Sequence, residues 1–369
     1  MKTKFRSNIL LISLIFCIMF PLVGQGVPET TGMPNQRSAV DALGRTVTIP
    51  GDPQRIMVVG RAAVMPADVL FFFPEIQEKE VILAKTDQGL GDFFNLIRPE
   101  FTTSGRLGQQ VGAEEILARE PDLVLTKTNN YDSIVKLLEP FGIPVFVMDL
   151  ETPDAWKQEI VELGKLLGDE ETPQRVVAEF EAREASIDAK IAQLAESQKP
   201  RILMMQVASS DGTTAFSVAP KEWIQSSITI RAGGIPVWLD TSLAEHAWRK
   251  VSFEQIATWQ PERLFLISYK APVQRFIESI NQSPQWQQLD VVKKSGIEAT
   301  PADVLNYFQS DSRWILALQW LAAELHPELF PDFSMETEIR TFYRDFYHIE
   351  SESVLNDLVQ KYRDSVGNK

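Results

Sequence analysis

Short, largely apolar runs recur along this chain and alternate with longer stretches of helical period. The runs "RIMVV" (55–59), "DLVLT" (122–126), "RILMMQV" (201–207) and "PERLFLIS" (261–268) read as buried strands. Between them, "IVKLLEPFGIPVFVMDL" reads as a helix, a turn at Gly142 and a further strand, and "AVDALGRTVTIPGDP" from Ala39 reads as a hairpin. Strand and helix in alternation with short connections predict a largely parallel sheet. Thr172-Pro173 then opens the longest helical pattern of the chain, since Thr is a good N-cap and Pro suits the first helical position. Val176, Phe180, Ile187, Ile191 and Leu194 lie near one face of it, although positions 183–184 are charged. The pattern stops before Pro200, which gives a rod of about 39 Å.

After Pro200 the alternation restarts. Glu222–Arg231 is predicted helical with a stop at Gly233-Gly234, and Ser312–His326 is helical with Trp314, Leu318, Leu321 and Leu325 on one stripe. The residues that follow are again mostly helical; the stretch Ser351–Lys369 suggests no function. The predicted fold is therefore α/β: two Rossmann-like lobes with mostly parallel sheets, 39–171 and 200–369, joined by one long α-helix, 172–199.

Residues 1–38 are expected to lie outside that fold. Lys2, Lys4 and Arg6 precede an apolar run, Ile9 to Val23, and then Gly24 and Gly26. This is the pattern of a secretory signal cut near Gly26, with 27–38 a disordered polar segment. Bulky Phe16 before Cys17 argues against a lipoprotein signal, so a lipid anchor is the less favoured alternative. Cys17 is the only cysteine, so the exported chain has no disulfides or thiolate metal sites. The net charge of −14 becomes more negative once the three basic signal residues are removed, which argues against nucleic acid as a partner.

One segment occurs twice. "VGAEEILAREPDLVL" (111–125) returns as "VSFEQIATWQPERLF" (251–265), with Val111, Glu114, Ile116 and Pro121 matched by Val251, Glu254, Ile256 and Pro261. Each copy is a helix ending before proline and leading into a strand, once per lobe. Open α/β sheets bind ligands beyond the carboxyl ends of their strands, so two such lobes imply a cleft between them. The residues expected to line it are Arg61, Arg106 and Lys127 in the first lobe and Trp248, Arg249, Tyr269, Tyr307, Phe308 and Gln309 in the second. Arginines there suit a carboxylate-bearing or otherwise anionic ligand, and aromatics cover a flat or apolar body. No nucleophile elbow, phosphate loop or H-E-x-x-H motif is present, and the histidines His246, His326 and His348 have no metal-ligand spacing. No enzyme activity, resident cofactor or metal site is expected.

The repeat "E-x-I-x-x-x-x-P-[DE]", "GIPV" after a helix, "AGGIPV" (232–237) and the single long helix resemble the substrate-binding proteins of ABC importers that carry iron–siderophore complexes, haem or cobalamin. The resemblance implies an exported, monomeric carrier in the periplasm or another extracytoplasmic space. It also implies that Glu114 and Glu254, one per lobe, dock into the two subunits of a membrane permease. Trp248 stands six residues before Glu254, as in the cobalamin-binding members, but "NYFQSD" before the late helix departs from their pattern. The expected ligand is therefore an iron(III)–siderophore-type chelate. The alternatives are cobalamin, haem, a bare metal ion or oxyanion, or a sensory role for the module.

Overall fold

The computed structural model describes residues 36–86, 88, 90–99, 106–108, 110–210, 213–239, 247–294 and 296–367. The signal segment and His246 lie outside these residues. The hairpin is formed by β1 (Arg37–Val40) and β2 (Thr46–Ile49), and it begins two residues before Ala39. The first lobe follows as β3 (Arg55–Val58), α1 (Val64–Leu70), β4 (Glu80–Leu83), α2 (Phe93–Ile97), α3 (Ala113–Leu117), β5 (Leu123–Lys127), the short α4 (Lys136–Leu138) and β6 (Val145–Met148). Its sheet has the order β4-β3-β5-β6 and is parallel throughout. Every residue of β5 and β6 is buried, because helices cover both faces of a parallel sheet.

Two helices leave this sheet. In α5 (Pro153–Leu167), Thr152 accepts the Ala155 N–H at 3.0 Å, Pro153 takes the first position and Gly168 closes the end at φ 77°. The long helix α6 (Glu171–Ile191) then runs about 31 Å. It is shorter than the predicted 172–199, ending at Ile191. Its cap also differs: Asp169 accepts the Glu171 and Thr172 N–H groups at 3.1 and 2.9 Å, and Thr172-Pro173 sit buried inside the first turn. The corner is too tight for a side chain at Gly164, where a Cβ would stand 2.7 Å from Pro173 Cγ.

The second lobe comprises β7 (Arg201–Ser210), β8 (Thr213–Val218), α7 (Ile224–Arg231), β9 (Ile235–Pro236), β10 (Arg249–Val251), α8 (Phe253–Trp259), β11 (Arg263–Ile267), α9 (Gln274–Gln282), α10 (Asp290–Lys293) and β12 (Ile297–Ala299). The sheet order is β10-β8-β7-β11-β12, with β9 beside β7. Pairs of β7 with β9 and β11, and of β11 with β12, are parallel; β8 and β10 add antiparallel strands. Three helices end the chain: α11 (Trp314–Leu325), α12 (Met335–Tyr347) and α13 (Glu352–Val366).

The charged position within α6 has a structural account. Glu184 is buried and takes Lys157 of α5 at 2.9 Å and Arg231 of α7, so one carboxylate ties the long helix to both lobes. Nearby, Trp156 stacks on Phe180 at 4.6 Å and Trp314 meets both edge-on. A second, wholly buried polar network crosses between the lobes. Asp68 of α1 pairs with Arg313 at 2.8 Å and accepts hydrogen bonds from the Ser312 N–H at 2.9 Å and the Tyr347 hydroxyl at 2.5 Å. Arg313 also faces Asp303 and Asp311 and lies 4.1 Å over the Phe93 ring.

Candidate ligand-binding cleft

The loops after β3 and β5 are built as one piece. Asn130 accepts the Arg61 N–H at 2.9 Å and donates to the Arg61 carbonyl at 3.0 Å. Gly60, at φ 96°, leaves room for that amide: a Cβ there would lie 2.6 Å from Asn130 Cγ. The clamp uses the backbone of Arg61 and leaves its side chain exposed, with no ion pair or hydrogen bond to the described residues.

Beneath this rim is a floor of paired charges. Lys127 is buried at the end of β5 and donates to Glu151 Oε1 at 2.5 Å and to the Asp149 carbonyl. Glu151 also accepts the Ser310 hydroxyl from the second lobe, and its carbonyl accepts the Ile224 N–H at 2.8 Å. Thr128 donates to Asp149 at 2.9 Å. Behind the floor, Glu159 accepts the Asp149 and Leu150 N–H groups at 2.7 and 3.2 Å, and burial pushes its carboxyl up to about 8. Lys127 is therefore paired within the floor and offers a ligand no free cation.

The second lobe supplies an aromatic wall. Trp248 meets Trp223 and Tyr269 edge-on, with ring centroids 5.9 and 6.3 Å apart, and all three rings are half-buried. The Tyr269 hydroxyl donates to the Phe308 carbonyl at 2.9 Å; burial, then the nearby Glu151 charge, keep its phenol protonated well above the ordinary range. Lys270 follows it, exposed, and Arg249 lies half-buried in β10.

Several residues expected to line the cleft stand elsewhere. Tyr307, Phe308 and Gln309 are fully buried because the loop 300–311 threads through the protein's interior on its way to α11. The Tyr307 ring stacks on Tyr362 of α13, Phe308 packs edge-on against Trp320 of α11, and only the Phe308 backbone carbonyl reaches Tyr269. Arg106 is engaged by Asp92 at 2.8 Å, Thr86 at 2.8 Å and Asn95 at 3.1 Å, and so serves the first lobe's own loops. Lys127 is spent on Glu151. Arg61, Trp248, Arg249 and Tyr269 remain, joined by Lys270. Sequence reasoning missed Asn130, Glu151, Trp223 and Ser310. Glu151 and Trp223 each stand just ahead of a helix start, which is the signal that could have found them.

The repeated unit is reproduced in detail. Residues 111–118 and 251–258 have the same order of buried and exposed positions, and a left-handed residue precedes the proline in both copies, Glu120 (φ 47°) and Gln260 (φ 45°). Asp122 accepts the Gln54 and Arg55 N–H groups at 2.8 Å, and Glu262 accepts the Arg201 N–H at 2.8 Å. Arg55 and Arg201 in turn cap the carbonyls of Arg119 and Trp259 at 2.9 and 2.7 Å. Glu114 and Glu254 are exposed in the first turns of α3 and α8. Of these two helices α8 alone has a side-chain cap, the Ser252–Gln255 capping box; its own backbone N–H and the Ser252 hydroxyl hold the Glu254 carboxyl below its ordinary value.

Among the described residues no group of three or more His, Cys, Asp or Glu side chains is arranged to hold a metal ion, and no helix is long and apolar enough to cross a membrane. Two α/β lobes with a long helix between them define the architecture. A family model described as "Periplasmic binding protein" matches residues 108–304. The molybdate-binding protein MolA of Haemophilus influenzae is 23% identical over 336 residues, which cover 84% of this chain and 91% of that one. Its molybdate-bound structure aligns with a TM-score of 0.69 at 20% identity, covering 86% of this chain and 99% of the other. The iron-uptake system-binding protein of Bacillus subtilis is 19% identical, covering 75% and 84% of the two chains. A periplasmic solute binding protein from Veillonella parvula aligns with a TM-score of 0.68 at 20% identity, over 88% and 97% of the two chains. The chain belongs to the periplasmic binding protein family.

Proposed function

We propose that this protein captures an anionic metal chelate of the iron(III)–siderophore type in its inter-lobe cleft and delivers it to an ABC permease. The observation that carries the reading is a pairing of chemistries. Arg61 after β3 and Lys270 after β11 are exposed cations without partners among the described residues in an acidic chain, and Trp248, Trp223 and Tyr269 form an aromatic cluster next to Lys270. A guanidinium recognises carboxylate or hydroxamate oxygens bidentately, and the rings cover the ligand's apolar body. The capture needs no bond to be made or broken in the protein. Glu114 and Glu254 then present one carboxylate per lobe to the permease, each on a helix whose far end is tied to the neighbouring strand by Arg55 or Arg201.

A second reading, an oxyanion such as molybdate, is favoured by the likeness to the molybdate-binding protein. The two differ in what they ask of the rings. A compact oxyanion is held by hydrogen-bond donors alone and makes no use of an aromatic wall. Tryptophan fluorescence titration with ferric siderophores, molybdate, cobalamin, haem and nickel separates them. The proposal expects a ferric chelate to quench at micromolar concentration or tighter, and Trp248→Ala to weaken it about tenfold or more. Saturable binding of molybdate alone, indifferent to Trp248→Ala, would replace the chelate with the oxyanion.

A further inference from the structure

A cavity of about 190 Å³ reaches the end of β11 and is lined by none of the three rings of the aromatic wall. Ser268 lines it, while the next residue, Tyr269, belongs to the cleft. Leu90 of the first lobe, Val273 and Ala302 make its apolar surface, and the last turns of α13 bring Lys361 and Asp364 to it. The walls are fastened from several sides. Ser365 accepts the Ala302 N–H at 2.9 Å, Gln274 donates to the Ser365 carbonyl at 3.1 Å, and Asn306 donates to Thr300 at 2.8 Å. Ser268 is 2% exposed, yet its hydroxyl makes no hydrogen bond to the described residues. Lys361 has only Asp357, 3.8 Å away, as an ionic neighbour, and Asp364 is exposed.

These features distinguish the cavity from a packing void. Empty voids are small and apolar, and one of about 150 Å³ already takes up benzene. This one is larger, carries a spare hydroxyl inside, and has an ammonium and a carboxylate one helical turn apart on its wall. We infer that it is a second binding site, for a small zwitterion with an apolar side chain: an α-amino acid of about the size of leucine or phenylalanine. The ligand's carboxylate meets Lys361, its ammonium meets Asp364, its side chain lies against Val273 and Ala302, and Ser268 supplies a hydrogen bond. Leu90 places the first lobe on the same ligand, so occupancy links the two lobes and the C-terminal helix beside the main cleft.

Isothermal titration of the exported protein with L-leucine, L-phenylalanine, their amides and indole tests this. One of the two amino acids is expected to bind saturably, its amide at least about tenfold more weakly. Lys361→Ala, a change at a half-exposed position on α13, should weaken the amino acid by a similar factor, and Ser268→Trp should abolish binding by filling the cavity. Trp248→Ala should leave it unchanged, which keeps this site distinct from the cleft. Absence of heat with both amino acids at millimolar concentration would overturn the inference. So would binding that is indifferent to both Lys361→Ala and Ser268→Trp, or binding of indole in preference to the zwitterions.

Discussion

Lys127 illustrates how a residue read correctly as standing at a strand end can be withheld from the ligand. Its position after "DLVLT" was legible; its partner Glu151, 24 residues on, was not, because the pairing depends on β6 lying beside β5. The same holds for Tyr307 and Phe308, whose place just before a helix said nothing of the loop's burial. The exposure of Arg61 was legible because it follows a strand end, whereas the packing of Trp248 between Trp223 and Tyr269 was not. Glu159 gives a pH test at this scale. Its carboxyl ordinarily titrates near 4.5 and is pushed up to about 8 in the fold, so the native protein holds a proton that the unfolded chain has released. Its contribution to stability is complete below about pH 4.5 and is lost as pH rises through about 8. Denaturant titrations between those limits should show the wild type losing stability with rising pH, and Glu159→Gln, which keeps an acceptor for the Asp149 and Leu150 N–H groups, should flatten that slope.

At the scale of elements, the repeated αβ unit was the most legible feature, since its helix, proline and strand follow one another in sequence. What sequence could not show was the arginine that completes each copy, because Arg55 and Arg201 lie 64 and 58 residues from the carbonyls they cap. The long helix was placed correctly but bounded poorly. Thr172-Pro173 has the chemistry of a helix start, yet Asp169 performs the capping and the chain turns at Ala192. The capping box of α8 makes a direct prediction. Ser252→Ala should cost about 1 kcal/mol in equilibrium unfolding, whereas Gly112→Ala at the uncapped start of α3 should change stability far less.

Across the whole molecule, two buried polar knots join the lobes: Glu184 on the long helix, and the network of Asp68, Arg313 and Tyr347. The second unites residues 245 and 279 positions apart, a distance over which no sequence period or motif carries information. Asp68→Ala removes the nearest carboxylate from a buried guanidinium that still faces Asp303 and Asp311, and should cost about 3 kcal/mol, whereas Tyr347→Phe removes one hydrogen bond from the Asp68 carboxylate and should cost about 1 kcal/mol. Lobes joined in this way, with aromatic rings of α12 packed on Phe72 and Phe93, should move little as units. Small-angle scattering with and without the quenching ligand should give nearly superimposable profiles; a large compaction would contradict this.

The account rests on delivery by two symmetric handles. Its most direct test reconstitutes the ABC permease that accepts this protein in proteoliposomes and measures ATP hydrolysis as ligand-loaded protein is added. Wild type should stimulate hydrolysis. Glu114→Ala and Glu254→Ala should each reduce that stimulation severalfold, and the double variant should abolish it, with ligand binding by tryptophan fluorescence unchanged in all three. Full stimulation by the double variant would contradict the account.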